Sequence, residues 1–233
     1  FKQKTAYEML RSLVGSEMCI RDRYWGCGLA CKKNLMAEVL ILYYSESGSV
    51  KNMASIIARG VNSVDGVTAK IRTVQKVSVN FGEKEKLIPD SGSPYATLDD
   101  LKNCDGLALG SPTRFGNMAA HLKFFLDSTS SLWLKGSLEN KPASVFTSSS
   151  SNHGGNESTL LSMQLPLQHM GMVLVGVPYS IPELSKTKTG GTPYGASHVG
   201  ENQDSNGLSE EEKVICFAQG VRLAKITVKL LNE

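Results

Sequence analysis

A doubly wound α/β fold is predicted, one parallel sheet with helices on both faces, and three features predict it. The run at 39–44 (V-L-I-L-Y-Y) is unbroken apolar and aromatic, the mark of a strand buried on both faces. Two later runs, 104–110 (C-D-G-L-A-L-G) and 143–147 (A-S-V-F-T), read as further buried strands. Between the strands lie segments with apolar residues at helical spacing, so strand and helix alternate five times with no internal repeat. Ligands of such a sheet belong at the carboxyl ends of its strands.

The first strand runs into Ser45, Glu46, Ser47, Gly48 and Ser49, then a helix with Val50, Met53, Ala54, Ile57, Ala58 and Val61 on one face. A helix N-terminus offers unpaired N–H groups and partial positive charge, so this loop suits a phosphate. An ordinary βα turn with a serine cap is the competing reading. Residues 67–74 alternate apolar and polar, a strand with one more open face, and 75–96 form a long loop. A short helix is expected at 98–103. The strand at 104–110 ends in Ser111, Pro112, Thr113, Arg114, Phe115, Gly116 and Asn117, and helical spacing resumes with Ala119, Leu122, Phe125 and Leu126.

The strand at 143–147 runs into a serine-rich loop ending in His153, Gly154 and Gly155. The helix after it should place Leu161, Met163 and Leu165 inward and be kinked or ended by Pro166. Residues 172–177 read as the last strand and 178–207 as turn chemistry. Ser209 and Glu212 make a capping box for a closing helix with Val214, Phe217, Ala218, Val221, Val228 and Leu231 on one face.

Composition bounds the partners. With 41% apolar and 20% charged residues, the 233-residue chain is that of a globular protein, and no apolar run reaches the ~20 residues of a membrane span. The formal charge of +3 sits at the front: residues 1–35 hold seven Lys/Arg and three Asp/Glu, leaving 18 basic against 19 acidic. The near-neutral remainder offers no basic footprint for nucleic acid. Residues 1–35 lack periodicity and resemble translated adapter sequence, so they read as a non-native or disordered leader and 36–233 as the domain. Only Cys104 and Cys216 belong to that domain. Both read as small buried hydrophobes in a reducing compartment, the cytoplasm, and no metal site is expected.

Three hydroxyl- and glycine-rich loops thus share one sheet edge, at 45–49, 111–117 and 147–155. The chain has neither G-x-x-x-x-G-K-[ST] nor G-x-G-x-x-G, which disfavours a triphosphate hydrolase and a dedicated dinucleotide fold. One phosphate loop with two more loops suits a mononucleotide carrying a planar ring. YYSESG, GSPTRFGNM and the late GGTPYGA resemble the WrbA-type flavodoxin-like NAD(P)H:quinone oxidoreductases over essentially all of 37–232. The resemblance implies a flavodoxin-like fold of strand order 2-1-3-4-5, FMN at the switch point, and a homotetramer.

By the same resemblance Ser45, Glu46, Ser47, Gly48, Ser49 and Val50 hold the FMN phosphate. Pro112, Thr113, Arg114, Phe115, Gly116 and Asn117 line the ring, and Ser149, Ser150, Ser151, Asn152 and His153 wrap its far edge. This third loop has one residue more than the family's T-G-x-G-G. His169 matches a histidine near the flavin and Trp133 one that shapes the substrate pocket across a subunit boundary. Ser47 stands where many members carry a tyrosine that contacts the nicotinamide. From the residues alone, Arg114 is a functional cation, His121 is solvated on a helix face, and His198 lies in a polar loop without a role. The implied chemistry is hydride transfer from NAD(P)H through flavin N5 to a quinone, in ping-pong order, with no catalytic side chain. An electron carrier or a non-catalytic FMN-binding scaffold are the alternatives.

Overall fold

The computed structural model describes residues 36–78, 89, 92–200 and 207–232. The leader at 1–35 and much of the long loop lie outside the described residues. Strands β1 (Ala37–Tyr43), β2 (Val67–Thr73), β3 (Gly106–Pro112), β4 (Pro142–Ser149) and β5 (Val173–Leu174) pair in parallel in the order β2-β1-β3-β4-β5. This is the flavodoxin-like order that the resemblance implied. β1 lies inside the sheet between β2 and β3, as a run with no polar face requires, and Val39 to Tyr43 are all buried.

Alternate residues of β1 feed two cores. Val39, Ile41 and Tyr43 pack against α1 (Ser49–Asn62) and α7 (Glu210–Leu231). Leu40 and Leu42 face α2 (Leu98–Asn103), α3 (Ala120–Asp127) and α5 (Asn156–His169), joined by Leu132 of the short α4 (Ser130–Leu134). Cys104 and Cys216 are buried as expected, and burial pushes the Cys104 thiol up to about 12.

The closing segments depart from expectation. The turn-rich stretch contains a short helix, α6 (Glu183–Lys186), and a strand, β6 (Ala196–Val199), that pairs with the carboxyl half of β4 beyond β5. α7 buries Ile215, Cys216, Gln219, Gly220, Leu223, Ala224 and Thr227, whereas Val214, Phe217 and Leu231 are exposed. Glycine decides this register. A Cβ on Gly220 would lie 2.2 Å from the carbonyl oxygen of Ile57, and one on Gly60 would lie 2.2 Å from that of Phe217. The two helices therefore cross backbone to backbone, on a face that apolar spacing does not mark.

In α5, Leu160, Met163 and Leu167 are buried, while Leu161 and Leu165 face outward. Pro166 does not end the helix, which continues to His169. It sits in the last turn, where only a few residues follow it.

Candidate functional site

The carboxyl ends of β1, β3 and β4 bring the three loops to one edge of the sheet. In the first, Gly48 precedes α1 with φ 100°, a left-handed conformation that favours glycine. The Ser45 hydroxyl oxygen accepts hydrogen bonds from the N–H groups of Gly48 at 3.1 Å and Lys51 at 3.3 Å. The N-cap residue itself, Gly48, has no side chain to offer the helix. The first turn is thus arranged around an oxygen acceptor and left open to another.

The second loop is a tight hairpin. The Arg114 N–H donates to Asn117 O at 2.8 Å and the Asn117 N–H to Arg114 O at 3.0 Å. Its two central residues, Phe115 (φ 53°) and Gly116 (φ 76°), are left-handed. For a bulky aromatic this backbone is strained by ~1–3 kcal/mol, yet the ring gains no packing, being 107% exposed. Strain without local return points to a ligand or partner. Below it, the Thr113 hydroxyl lies 3.3 Å from that of Thr147 and accepts from that of Thr159 at 3.2 Å, tying β3, β4 and α5 together.

The third loop folds on itself. The Ser149 hydroxyl donates to Ser151 O at 2.7 Å, and Ser150, Ser151, Asn152 and His153 are exposed. Gly155 (φ 89°) leads into α5, and a Cβ there would meet Gly116 Cα at 3.0 Å, so the second and third loops touch. The Asn156 Oδ1 beside them is buried without a partner. An open helix start, a strained exposed aromatic and an unmet buried acceptor along one edge fit a phosphate-bearing ligand with a planar ring. Among the described residues, no group of His, Cys, Asp and Glu could hold a metal ion.

Two histidines stand differently from their sequence reading. The His121 ring packs on Tyr44, centroids 4.3 Å apart, and its Nδ1 accepts from the Val77 N–H at 2.8 Å. It is not simply solvated, and burial pulls its pKa down. His198 belongs to β6 and is buried, with Nδ1 2.7 Å from Glu212 Oε2. Glu212 also accepts from the N–H groups of Gly190 (2.8 Å), Val199 (3.1 Å) and Ser209 (2.9 Å). Burial alone would raise its carboxyl pKa, but the bonds from His198, Ser209 and Gly190 hold it down at about 2. The capping box was readable in the sequence; the buried partner was not.

Trp133 and His169 meet in a groove of about 530 Å³ between α3, α4 and α5, also lined by Met118, Leu126 and Leu165. His169 ends the 14-residue α5, about 20 Å along the helix from the third loop at 1.5 Å per residue. His169, matched above to a family histidine near the flavin, thus stands in this groove at the far end of α5 from the three loops. Trp133 is 53% exposed on the same face.

A family model described as NADPH-dependent FMN reductase matches residues 38–184. A protein named NAD(P)H dehydrogenase (quinone) from Syntrophobacter fumaroxidans (strain DSM 10017 / MPOB) is 42% identical over 203 residues, 84% of this chain and 100% of the relative. Among solved structures, a flavodoxin, WrbA-like protein from Agrobacterium tumefaciens superposes with TM-score 0.57 at 20% identity, covering 83% of this chain and 98% of that one. A flavodoxin from the domain Archaea gives 0.54 at 19%, covering 82% and 99%. At these identities the two structures speak for the fold.

Proposed function

The chain belongs to the NADPH-dependent FMN reductase family, and from that premise we propose that it is an FMN-dependent NAD(P)H:quinone oxidoreductase. The observation that carries this reading is the three-loop edge, with left-handed Gly48 opening α1 at one end and the strained, exposed Phe115 at the other. The loop from Ser45 to Val50 holds the phosphate of FMN with its backbone N–H groups and serine hydroxyls, the Glu46 side chain turned aside. Thr113, Arg114 and Phe115 line one side of the ring and Ser149 to His153 the other. When bound, FMN would supply the redox chemistry, two-electron transfer from NAD(P)H to a quinone by way of flavin N5 in ping-pong order.

The chain's part is to position and to polarise. Arg114 holds a fixed positive charge beside the ring, its Nη1 tethered to Thr113 O at 2.9 Å, where negative charge on a reduced ring is stabilised. The linked hydroxyls of Thr113, Thr147 and Thr159 keep that loop from shifting. Trp133 and His169 act across a subunit boundary in a homotetramer, the groove of one copy closing over the loops of another. Among the described residues no helix is long and apolar enough to cross a membrane; because Cys104 and Cys216 are buried free thiols, as a reducing compartment keeps them, we place the protein in the cytoplasm.

The test is turnover of the purified chain with NADH or NADPH and benzoquinone, followed by absorbance. Parallel lines in double-reciprocal plots are expected; intersecting lines mean a ternary complex and a second site. Reduction without turnover supports an electron carrier instead.

Trp133→Ala should lower kcat/KM for the quinone about threefold to tenfold, the scale of a lost aromatic contact of ~0.5–1.5 kcal/mol. Bound FMN should stay nearly unchanged. Loss of flavin in this variant would place Trp133 in the cofactor site or the core.

A further inference from the structure

Glu46 stands in the middle of the phosphate loop, and a carboxylate facing a phosphate dianion opposes its binding. The fold turns this side chain aside. The Tyr44 hydroxyl donates to Glu46 Oε2, and Lys76 Nζ reaches Oε1 at 3.1 Å. Lys76 follows β2 by three residues and is brought alongside by the pairing of Tyr43 with Thr73. The next residue, Val77, is pinned through its N–H to His121, whose ring packs on Tyr44. Two elements distant in sequence thus converge on one loop carboxylate.

We propose that Tyr44 and Lys76 form a clamp that holds Glu46 away from the cofactor phosphate, making Lys76 a positioning residue for FMN. The proposal rests on the FMN reading above. Hydrogen bonds from Tyr44 and then Lys76 lower the Glu46 pKa, so the clamped group is an anion at neutral pH. Releasing it returns a negative charge to the loop. A clamp acts through Glu46, so it matters only while Glu46 is charged. A lysine that touched the phosphate itself would matter equally without Glu46.

The test is a fluorescence titration of FMN and of riboflavin into the flavin-stripped full chain. Lys76 is exposed, so its replacement leaves the core intact. Lys76→Met is expected to weaken FMN about tenfold, the scale of one partly exposed charge interaction, and riboflavin, which has no phosphate, less than about twofold. Tyr44→Phe should act in the same direction. In a Glu46→Gln background, Lys76→Met should change FMN affinity by less than about twofold, the coupling that defines a shared mechanism. Equal weakening in both backgrounds overturns the clamp in favour of direct contact. Unchanged FMN affinity in Lys76→Met overturns it outright. Failure of the unmodified chain to bind FMN overturns the clamp and the FMN reading together, an outcome distinct from either of the others.

Discussion

Replacing Gly48 by valine is expected to weaken FMN binding by roughly 10²–10⁴-fold, and riboflavin binding far less. Two costs combine. Gly48 has φ 100°, where a β-branched residue is strained by ~1–3 kcal/mol. The added side chain also keeps an anion from the first-turn N–H groups, and hydrogen bonds to a charged partner are worth ~1.5–3 kcal/mol each. Titrating both flavins into the stripped protein checks the result. Equal losses for the two would mean that the loop does not hold the phosphate. Gly48→Asn, which tolerates left-handed backbone better, should fall between the parent and the valine variant.

Glu212→Gln is expected to cost about 3–5 kcal/mol of stability, the scale of losing two buried hydrogen bonds to a charged acceptor at ~1.5–3 kcal/mol each. In a protein of this size the melting temperature would fall by roughly 6–20 °C. All four partners of Glu212 are N–H groups or the His198 ring, and an amide turns one acceptor oxygen into a donor that faces donors. Glu211→Gln next door should stay within ~0.5 kcal/mol. The pH dependence has a definite sign. Glu212 is depressed from 4.5 to about 2, so its contribution is full above the ordinary value and fades as pH falls toward 2. Urea unfolding across that range should show this acid loss in the parent and its absence in Glu212→Gln. Identical profiles would mean that the carboxylate is not what secures β6.

The first four strands and most helices were legible because apolar runs and periodic faces report burial directly, whereas the strand expected at 172–177 pairs only over Val173–Leu174. β1 was read to within a residue or two of its ends, α2 at its full extent, and the Ser209–Glu212 capping box as it stands. Failures fell where contact does not depend on apolar spacing. Gly60 and Gly220 pack α1 on α7 without a side chain between them, so the exposed stripe of Val214 and Phe217 looked like the buried one. β6 is four residues long and its His198 looks polar in sequence; only the pairing with β4 and the carboxylate from α7 make a buried strand of it. Of the site, the three loops were visible as hydroxyl and glycine clusters at strand ends. The approach of Val77 to His121, 44 residues apart, is a tertiary contact that no local pattern encodes.

The glycine crossing of α1 and α7 also reaches beyond the core. α1 presents its first turn to the phosphate loop and is gripped near its other end, twelve residues on, where Gly60 meets the backbone of Phe217. That is about 18 Å of stiff helix at 1.5 Å per residue, a lever with its pivot at the crossing. Bulk added at Gly220 touches no ligand, but it must push Ile57 and swing the far end of α1. Small displacements at the pivot become misalignment at the tip, where N–H groups would meet the phosphate proposed for this loop. Under the proposed FMN reading, variation of α7 at this crossing would be limited by the cofactor as well as by the packing it interrupts.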